Sequence, residues 1–344
     1  MTSSPSPSDA SSAIEELLSA YHDLNPQSVE ELHEEPSPLE FMRFVAQNKP
    51  FVLRKGASSW AACRRWNCEY LSEAMRGQSV KVALTPMGNA DSVLALPDGA
   101  QCFIKPFEKE ELFEEALAHI RSQSSDPSYK GPVRYAQTQN DNLRDEYASI
   151  SPDVPSSVPF ARIALQKDPE NVNMWIGNSH TTTALHHDPY HNIYAQILGG
   201  KHFVLLPPIE APCINEKTLP AATYRPRNST APENAQDLVV QFDDPPDTAP
   251  FACWDPDNPS VNTTAFSHLS RPVRVTLAEG DMLYLPALWY HKVSLSCSEE
   301  GICCSVNQFY DMDFSGPFWP MSGFVRSIGL SAIGEKQKKE PHNE

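Results

Sequence analysis

His186 and Asp188 stand two residues apart, and His291 follows about a hundred residues later. Two imidazoles and one carboxylate can occupy one face of an octahedral Fe(II), leaving three positions for a co-substrate and oxygen. That is the ligand set of a non-haem iron oxygenase. If Leu185-His186-His187-Asp188 is extended, side chains two apart point to the same side, roughly 7 Å apart at Cα, and His187 points away. A lone His-x-Asp more often marks a turn or a surface hydrogen bond, so the assignment leans on its surroundings. His180 follows Asn178-Ser179 in an expected loop and His191 sits in Pro189-Tyr190-His191. Both are read as non-ligands.

Downstream, residues 192–198 alternate polar and apolar, Gly199-Gly200 is a two-residue hairpin signal, and residues 201–206 return. Such a hairpin pairs Leu198 with Lys201, Gln196 with Phe203 and Tyr194 with Leu205. It places Asn192, Tyr194, Gln196, Lys201, Phe203 and Leu205 on one face. A solvated edge is the simpler reading of an isolated hairpin. A lysine that stays charged among apolar neighbours instead needs a carboxylate partner, which a dicarboxylate co-substrate provides. Further on, Glu279-Gly280-Asp281 reads as a tight turn into the apolar run 282–285, which Pro286 breaks before a second apolar strand begins. His291 lies in that second strand. Alone it reads as a core histidine; with His186 and Asp188 it is the third ligand.

The elements that must hold these residues divide the chain. Residues 1–12 are Ser/Pro-rich and expected to be disordered, and 13–21 read as an amphipathic helix. A helix over 38–47 with Pro near its start, a strand at 51–54, a helix over 68–76 and a strand at 80–84 follow. Residues 108–121 form a predicted helix with Leu112, Phe113, Ala116, Leu117 and Ile120 on one face. From Val133 the pattern changes to short strands and turns, including a buried strand at 172–177 that leads to the metal motif. The expectation is a mainly β chain with flanking α: a double-stranded β-helix (jelly-roll) core over 131–325, preceded by an α/β region over 13–130 that packs on it. Residues 326–344 are expected to be a C-terminal tail, charged and mobile from Gly334.

The chain has 344 residues and a net charge of −17. Direct nucleic-acid binding needs a basic footprint and is excluded as an expectation. Acidity usually means a well-solvated surface; the sharper reading is steering of a basic protein substrate toward an acidic rim, with Asp243-Asp244 and Asp311/Asp313 as candidates. No run of ~18 apolar residues suggests a membrane span, and the Ser/Pro-rich start does not resemble a signal peptide. The eight cysteines contain no Cys-x-x-Cys pair and are expected to be free thiols, with cytoplasm, and the nucleus besides, as the compartment. Oligomeric state is not legible.

On the segments Leu185-His186-His187-Asp188, Asn192-Ile193-Tyr194, Gly200-Lys201-His202-Phe203, Ala222-Thr223-Tyr224, residues 280–293 and Val306-Asn307-Gln308-Phe309-Tyr310-Asp311-Met312, the chain resembles the JmjC branch of the cupin-type 2-oxoglutarate oxygenases, nearest to the lysyl hydroxylases of the jumonji domain-containing protein seven type. The similarity runs from about residue 30 to residue 320. It implies iron held by His186, Asp188 and His291, with 2-oxoglutarate and O2 as co-substrates. It implies Lys201 and Thr183 on the distal carboxylate of 2-oxoglutarate, Asn192 and Asn307 lining the pocket, and Tyr135 contributed from before the barrel. Thr183, three before His186, is off the ligand face of an ideal strand. The resemblance further implies C-3 hydroxylation of a lysine in developmentally regulated GTP-binding proteins, a GTPase partner presenting a basic segment. Alternatives on the same residues are an N-methyl-lysine demethylase, a non-catalytic cupin-type binding module, and a zinc or manganese cupin. The polar insert 296–301 before Asn307 and the Pro/Asp-rich stretch 209–270 depart from the family pattern.

Overall fold

The computed structural model describes residues 7–339 apart from 127 and 229–231, so the expectations for 1–6 and 340–344 lie outside the described residues. Its first part runs α1 (Pro7–Leu24), β1 (Glu30–Leu32), α2 (Pro38–Gln47), β2 (Phe51–Leu53), α3 (Ala61–Arg65), α4 (Cys68–Ala74), β3 (Ser79–Thr85), β4 (Ser92–Ala95), β5 (Gln101–Lys105), β6 (Phe107–Leu112), α5 (Phe113–Ser125) and β7 (Val133–Tyr135). There follow α6 (Pro159–Leu165), β8 (Asn171–Gly177), β9 (Thr182–His186), β10 (Tyr190–Leu198), β11 (Gly200–Leu206), β12 (Glu216–Pro226), β13 (Leu238–Phe242), β14 (Thr248–Ala252), β15 (Val273–Leu277), β16 (Met282–Leu285), β17 (Tyr290–Ser296), β18 (Cys303–Asp311) and α7 (Phe318–Lys339).

Two sheets make the jelly-roll. One has strand order β1-β2-β16-β10-β18-β8, the other β15-β11-β17-β9. Their facing sides meet in one apolar cluster that takes Trp175, Tyr194, Leu283 and Leu285 from the first sheet and Phe203, Leu205, Val275 and Val293 from the second. Two smaller sheets, β13-β12-β5-β4 with β14 on β12 and β6-β3-β7, complete the strand framework. Among the described residues no helix is long and apolar enough to cross a membrane, and all eight cysteines are free thiols.

The hairpin expected at Gly199-Gly200 does not form. β10 pairs with β16 and β18, whereas β11 pairs with β15 and β17, so the two glycines turn the chain from one sheet into the other. The facing survives this correction, because in a sandwich each strand turns one side inward. Tyr194, Phe203 and Leu205 point between the sheets, while Ile193, Ala195 and Ile197 pack outside the first sheet and Val204 and Leu206 outside the second.

Three further expectations are corrected. Residues 108–112 belong to β6, antiparallel to β3 from Ser79↔Leu112 to Leu84↔Phe107, and the helix starts only at Phe113. Sheet pairing overrides helix propensity here: Glu111 turns inward and is met by the buried Arg134 guanidinium at 2.9 Å. Helix α1 begins at Pro7 rather than Ala13, with proline at its first position, where its missing N–H costs nothing. At the other end, residues 326–339 continue α7 instead of forming a tail. Ala332 is buried with Ile14, Leu18, Cys213 and Phe266, and Arg326 pairs with Glu216.

Helix α2 shows the local rules at work. Ser37 caps it in a reciprocal capping box with Glu40, Pro38 opens the first turn, and the left-handed Asn48 (φ 51°) ends it.

Gly199 sits at φ 70°, where a Cβ would lie 2.4 Å from the Ser296 carbonyl oxygen. Gly199→Ala is therefore expected to cost at least about 2 kcal/mol, a left-handed penalty plus a backbone clash, measured by urea denaturation. A cost below ~0.5 kcal/mol would mean that the corner is not constrained as described.

Candidate active site

The β9–β17 ladder brings the first and third candidate ligands together. His186 and His291 are direct cross-strand partners, with ring centroids 4.2 Å apart. Asp188 lies two residues past the end of β9, in the connection to β10, where its carbonyl accepts from Leu288 N at 2.8 Å. Asp188 Oδ2 stands 3.8 Å from each imidazole Nε2, and one ligand atom from each of the three residues lies within 4.8 Å of the others.

The tautomers are set by the backbone. His186 Nδ1 meets the Ala184 carbonyl at 2.8 Å and His291 Nδ1 meets the Trp289 carbonyl at 3.1 Å. A carbonyl only accepts, so each Nδ1 carries the proton and each Nε2 offers a lone pair. His291 is 1% exposed, and its Nε2 is buried without a hydrogen-bond partner. Burial, reinforced by the adjacent His186, lowers its pKa to about 3, which keeps the ring neutral. An orphaned, inward-facing imidazole lone pair beside a second imidazole and a carboxylate is an arrangement that a divalent metal satisfies.

The neighbouring histidines stay out of this cluster. His187 turns to the outer side of the sheet, edge-on to Tyr290 at 4.8 Å, in a cavity of about 440 Å³ that Glu216, Trp319 and Arg326 also line. His191 faces the Tyr284 hydroxyl at 3.0 Å, and His180 lies in the turn before β9.

Thr183 is on the ligand side after all. His291 and Val293 are two apart on β17, yet their partners on β9, His186 and Thr183, are three apart. The irregularity absorbs one residue of β9. Because paired residues share a face, Thr183 and His186 point the same way, and Thr183 reaches the buried Tyr135 phenol with a hydrogen bond.

Deeper in the sandwich Lys201 is 2% exposed. Its ammonium donates to Ser305 Oγ at 2.6 Å and lies 4.8 Å from the Tyr194 ring and 5.6 Å from the Trp175 ring. Among the described residues no carboxylate pairs with it, and burial pushes its pKa down to about 8. Asn307, fully buried, accepts from Trp175 Nε1 at 2.7 Å and donates to Asn192 Oδ1 at 3.0 Å. The polar insert 296–301 covers the end of β17 and the turn that leads to β18, and Asn307 stays buried beside Trp175 and Asn192.

Sequence reasoning missed Ser305, although its position two before Asn307 on β18 puts both on one face. It also missed Asn48. The Trp289 indole donates to the Asn48 carbonyl at 2.9 Å and to its Oδ1 at 2.7 Å, so the cap of α2 holds the segment before His291. No sequence signal links residues so far apart. Of the candidate acidic rim, Asp243 is neutralised by Lys105 at 2.5 Å and bound by Thr223.

The lowered lysine pKa fixes a stability prediction. With a folded value near 8 against 10.5, Lys201 carries the full cost of a buried charge below pH 8, and that cost fades as pH rises from 8 to 10.5. Lys201→Met is therefore expected to stabilise the apo-protein at pH 7 by about 2–3 kcal/mol, with a smaller gain at pH 9.5. Equal urea midpoints for the two proteins at pH 7 would show that the ammonium is not strained by burial.

Comparison with known proteins places this geometry. Residues 36–316 match the model of the cupin-like domain family. The chain is 34% identical over 297 residues to the Arabidopsis thaliana protein named lysine-specific demethylase JMJ32, covering 83% of this chain and 82% of the relative. It is 32% identical over 297 residues to JmjC domain-containing protein E of Dictyostelium discoideum, covering 82% and 83%. It is 33% identical over 290 residues to the human bifunctional peptidase and (3S)-lysyl hydroxylase JMJD7, covering 84% and 86%.

Proposed function

The chain belongs to the cupin-like JmjC family, and on that premise we propose that it is an Fe(II)- and 2-oxoglutarate-dependent hydroxylase of a protein lysine. The observation that carries the reading is a buried cation that, among the described residues, has no carboxylate partner, in the same interior as a His-Asp-His cluster. Tyr194 links the two, since its ring faces the Lys201 ammonium and its phenol feels the Asp188 carboxylate.

His186, Asp188 and His291 would hold the iron, which together with 2-oxoglutarate and O2 supplies oxidation of an unactivated C–H bond, with succinate and CO2 as co-products. This chain's residues bind and orient. Lys201 pairs with the distal carboxylate of 2-oxoglutarate, Thr183 and Tyr135 donate hydroxyl hydrogen bonds on the same side, and the Asn192–Asn307 pair lines the pocket with fixed amides. The apolar packing between the sheets keeps water away, which strengthens each of these contacts.

Lysine as the target, oxygenated at C-3, is supported by the similarity to a relative named (3S)-lysyl hydroxylase. Developmentally regulated GTP-binding proteins are the proposed substrates, on the family resemblance and on a net charge of −17 that favours a basic partner segment. The cytoplasm, and the nucleus besides, are the proposed compartments. The Arabidopsis relative's name favours demethylation as the second reading.

The test is anaerobic visible spectroscopy of the apo-protein titrated with Fe(II) and then 2-oxoglutarate. A charge-transfer band that needs both additions and is lost in His291→Ala is expected; its absence from folded, iron-loaded protein would turn attention to a non-catalytic binding module. His186→Ala and Asp188→Ala are expected to abolish turnover with the fold retained. Lys201→Ala is expected to raise the 2-oxoglutarate requirement far more than the iron requirement, by about 2–5 kcal/mol in binding. Mass spectrometry separates the two reactions, since hydroxylation adds an oxygen to the peptide whereas demethylation removes a methylene.

A further inference from the structure

One loop close to the His-Asp-His cluster carries a carboxylate whose charge no lysine or arginine meets among the described residues. Between β3 and β4, Asp91 sits part-buried at φ 49°, close enough to His186 to interact with it electrostatically. Two neighbours fix the loop. Thr182 N, at the start of β9, donates to the Gly88 carbonyl at 3.0 Å, and Gly88 lies so near the His180 carbonyl that a Cβ would come within 2.0 Å of it. On the other side Gln137 Nε2 donates to Asp91 Oδ2 at 3.0 Å, two residues after Tyr135, which itself bonds Thr183. Asp91 is thus bracketed by the two segments that reach Thr183 and His186.

Its charge is not met. Lys105 is near but is committed to Asp243, Glu108 is near with the same sign, and among the described residues no lysine or arginine pairs with Asp91. Burial accordingly raises the pKa of its carboxyl. A desolvated carboxylate with one amide donor and no counter-charge is costly unless a cation arrives from outside.

We infer that Asp91 binds the ε-ammonium of the substrate lysine, so that the target side chain is held by its charged end beside the metal cluster. This rests on the lysine reading proposed above and extends it. Lys201 awaits an anion and Asp91 a cation, which accounts for both partners of the reaction with opposite signs. The carboxylate also favours an ammonium that keeps its N–H donors over a trimethylated one.

The experiment uses the full chain loaded with Fe(II) and 2-oxoglutarate, and two peptide libraries with randomised flanks, one with a fixed central lysine and one with norleucine in its place. Oxygen addition is followed by mass spectrometry. The wild type is expected to prefer lysine by at least about tenfold in kcat/KM. Asp91→Asn is expected to remove most of that preference, mainly through KM for peptide, with KM for 2-oxoglutarate unchanged. Asn suits a left-handed backbone as Asp does, so the loop is retained. An Asp91→Asn protein with wild-type melting temperature and wild-type preference for lysine would overturn the assignment and leave the hydroxylase reading standing. Equal wild-type turnover of the two libraries would overturn it without recourse to the variant. A wild type that binds iron and 2-oxoglutarate yet oxygenates no lysine peptide would remove both the lysine reading and Asp91's part in it.

Discussion

Because His186 and His291 are direct partners across β9 and β17, backbone hydrogen bonding sets the separation of the two imidazoles before either side chain chooses a rotamer. The irregularity in the same ladder, one residue farther along β9 than along β17, then brings Thr183 round to the ligand face. A slip of one residue would send both to the wrong side, since side chains alternate with period two. Register is thus the constraint on which the site depends, and the apolar residues on both faces enforce it. Val293 must lie between the sheets and Leu185 outside them.

The interior trades stability for binding. A lysine buried against Ser305, Tyr194 and Trp175 has hydrogen bonding and ring faces to stabilise it but no counter-charge, and burial disfavours its charged form. An apolar residue of similar size would suit the folded chain better. Asp91 shows the same imbalance with the opposite sign, and the orphaned Nε2 of His291 adds a third unmet group. Such local costs concentrate where a ligand later satisfies them.

Much of this was legible in the sequence, for reasons that differ by element. The jelly-roll could be read from the family resemblance together with the short strands and turns after Val133, and the inward face containing Tyr194, Lys201 and Phe203 came from the register of an expected hairpin, which gave the right facing although the hairpin does not form. The pairing of those strands could not be read in the same way. Gly199-Gly200 has the chemistry of a hairpin and also that of a corner between sheets, and only the partners supplied by residues 273–311 decide between them. Likewise the charged run 108–112 suits a helix locally and becomes strand β6 because β3 offers it a ladder and Arg134 offers Glu111 a counter-ion. The metal triad stood out through its residue types. Ser305 and Asn48 did not, because a serine and an asparagine acquire their roles only from neighbours far away in the chain.

The clamp between Asn48 and Trp289 bears on how separable the parts of this protein are. Residues 131–325 contain the candidate ligands His186, Asp188 and His291 together with Lys201, and composition makes that stretch look self-sufficient. Yet the loop before His291 is held by the end of α2, and the edge of β16 is covered by β2, with Met282, Leu283 and Tyr284 paired to Leu53, Val52 and Phe51. The N-terminal region is therefore part of the scaffold of the candidate site, and cutting it away to isolate the jelly-roll alone would leave a raw sheet edge and the segment before His291 without its anchor.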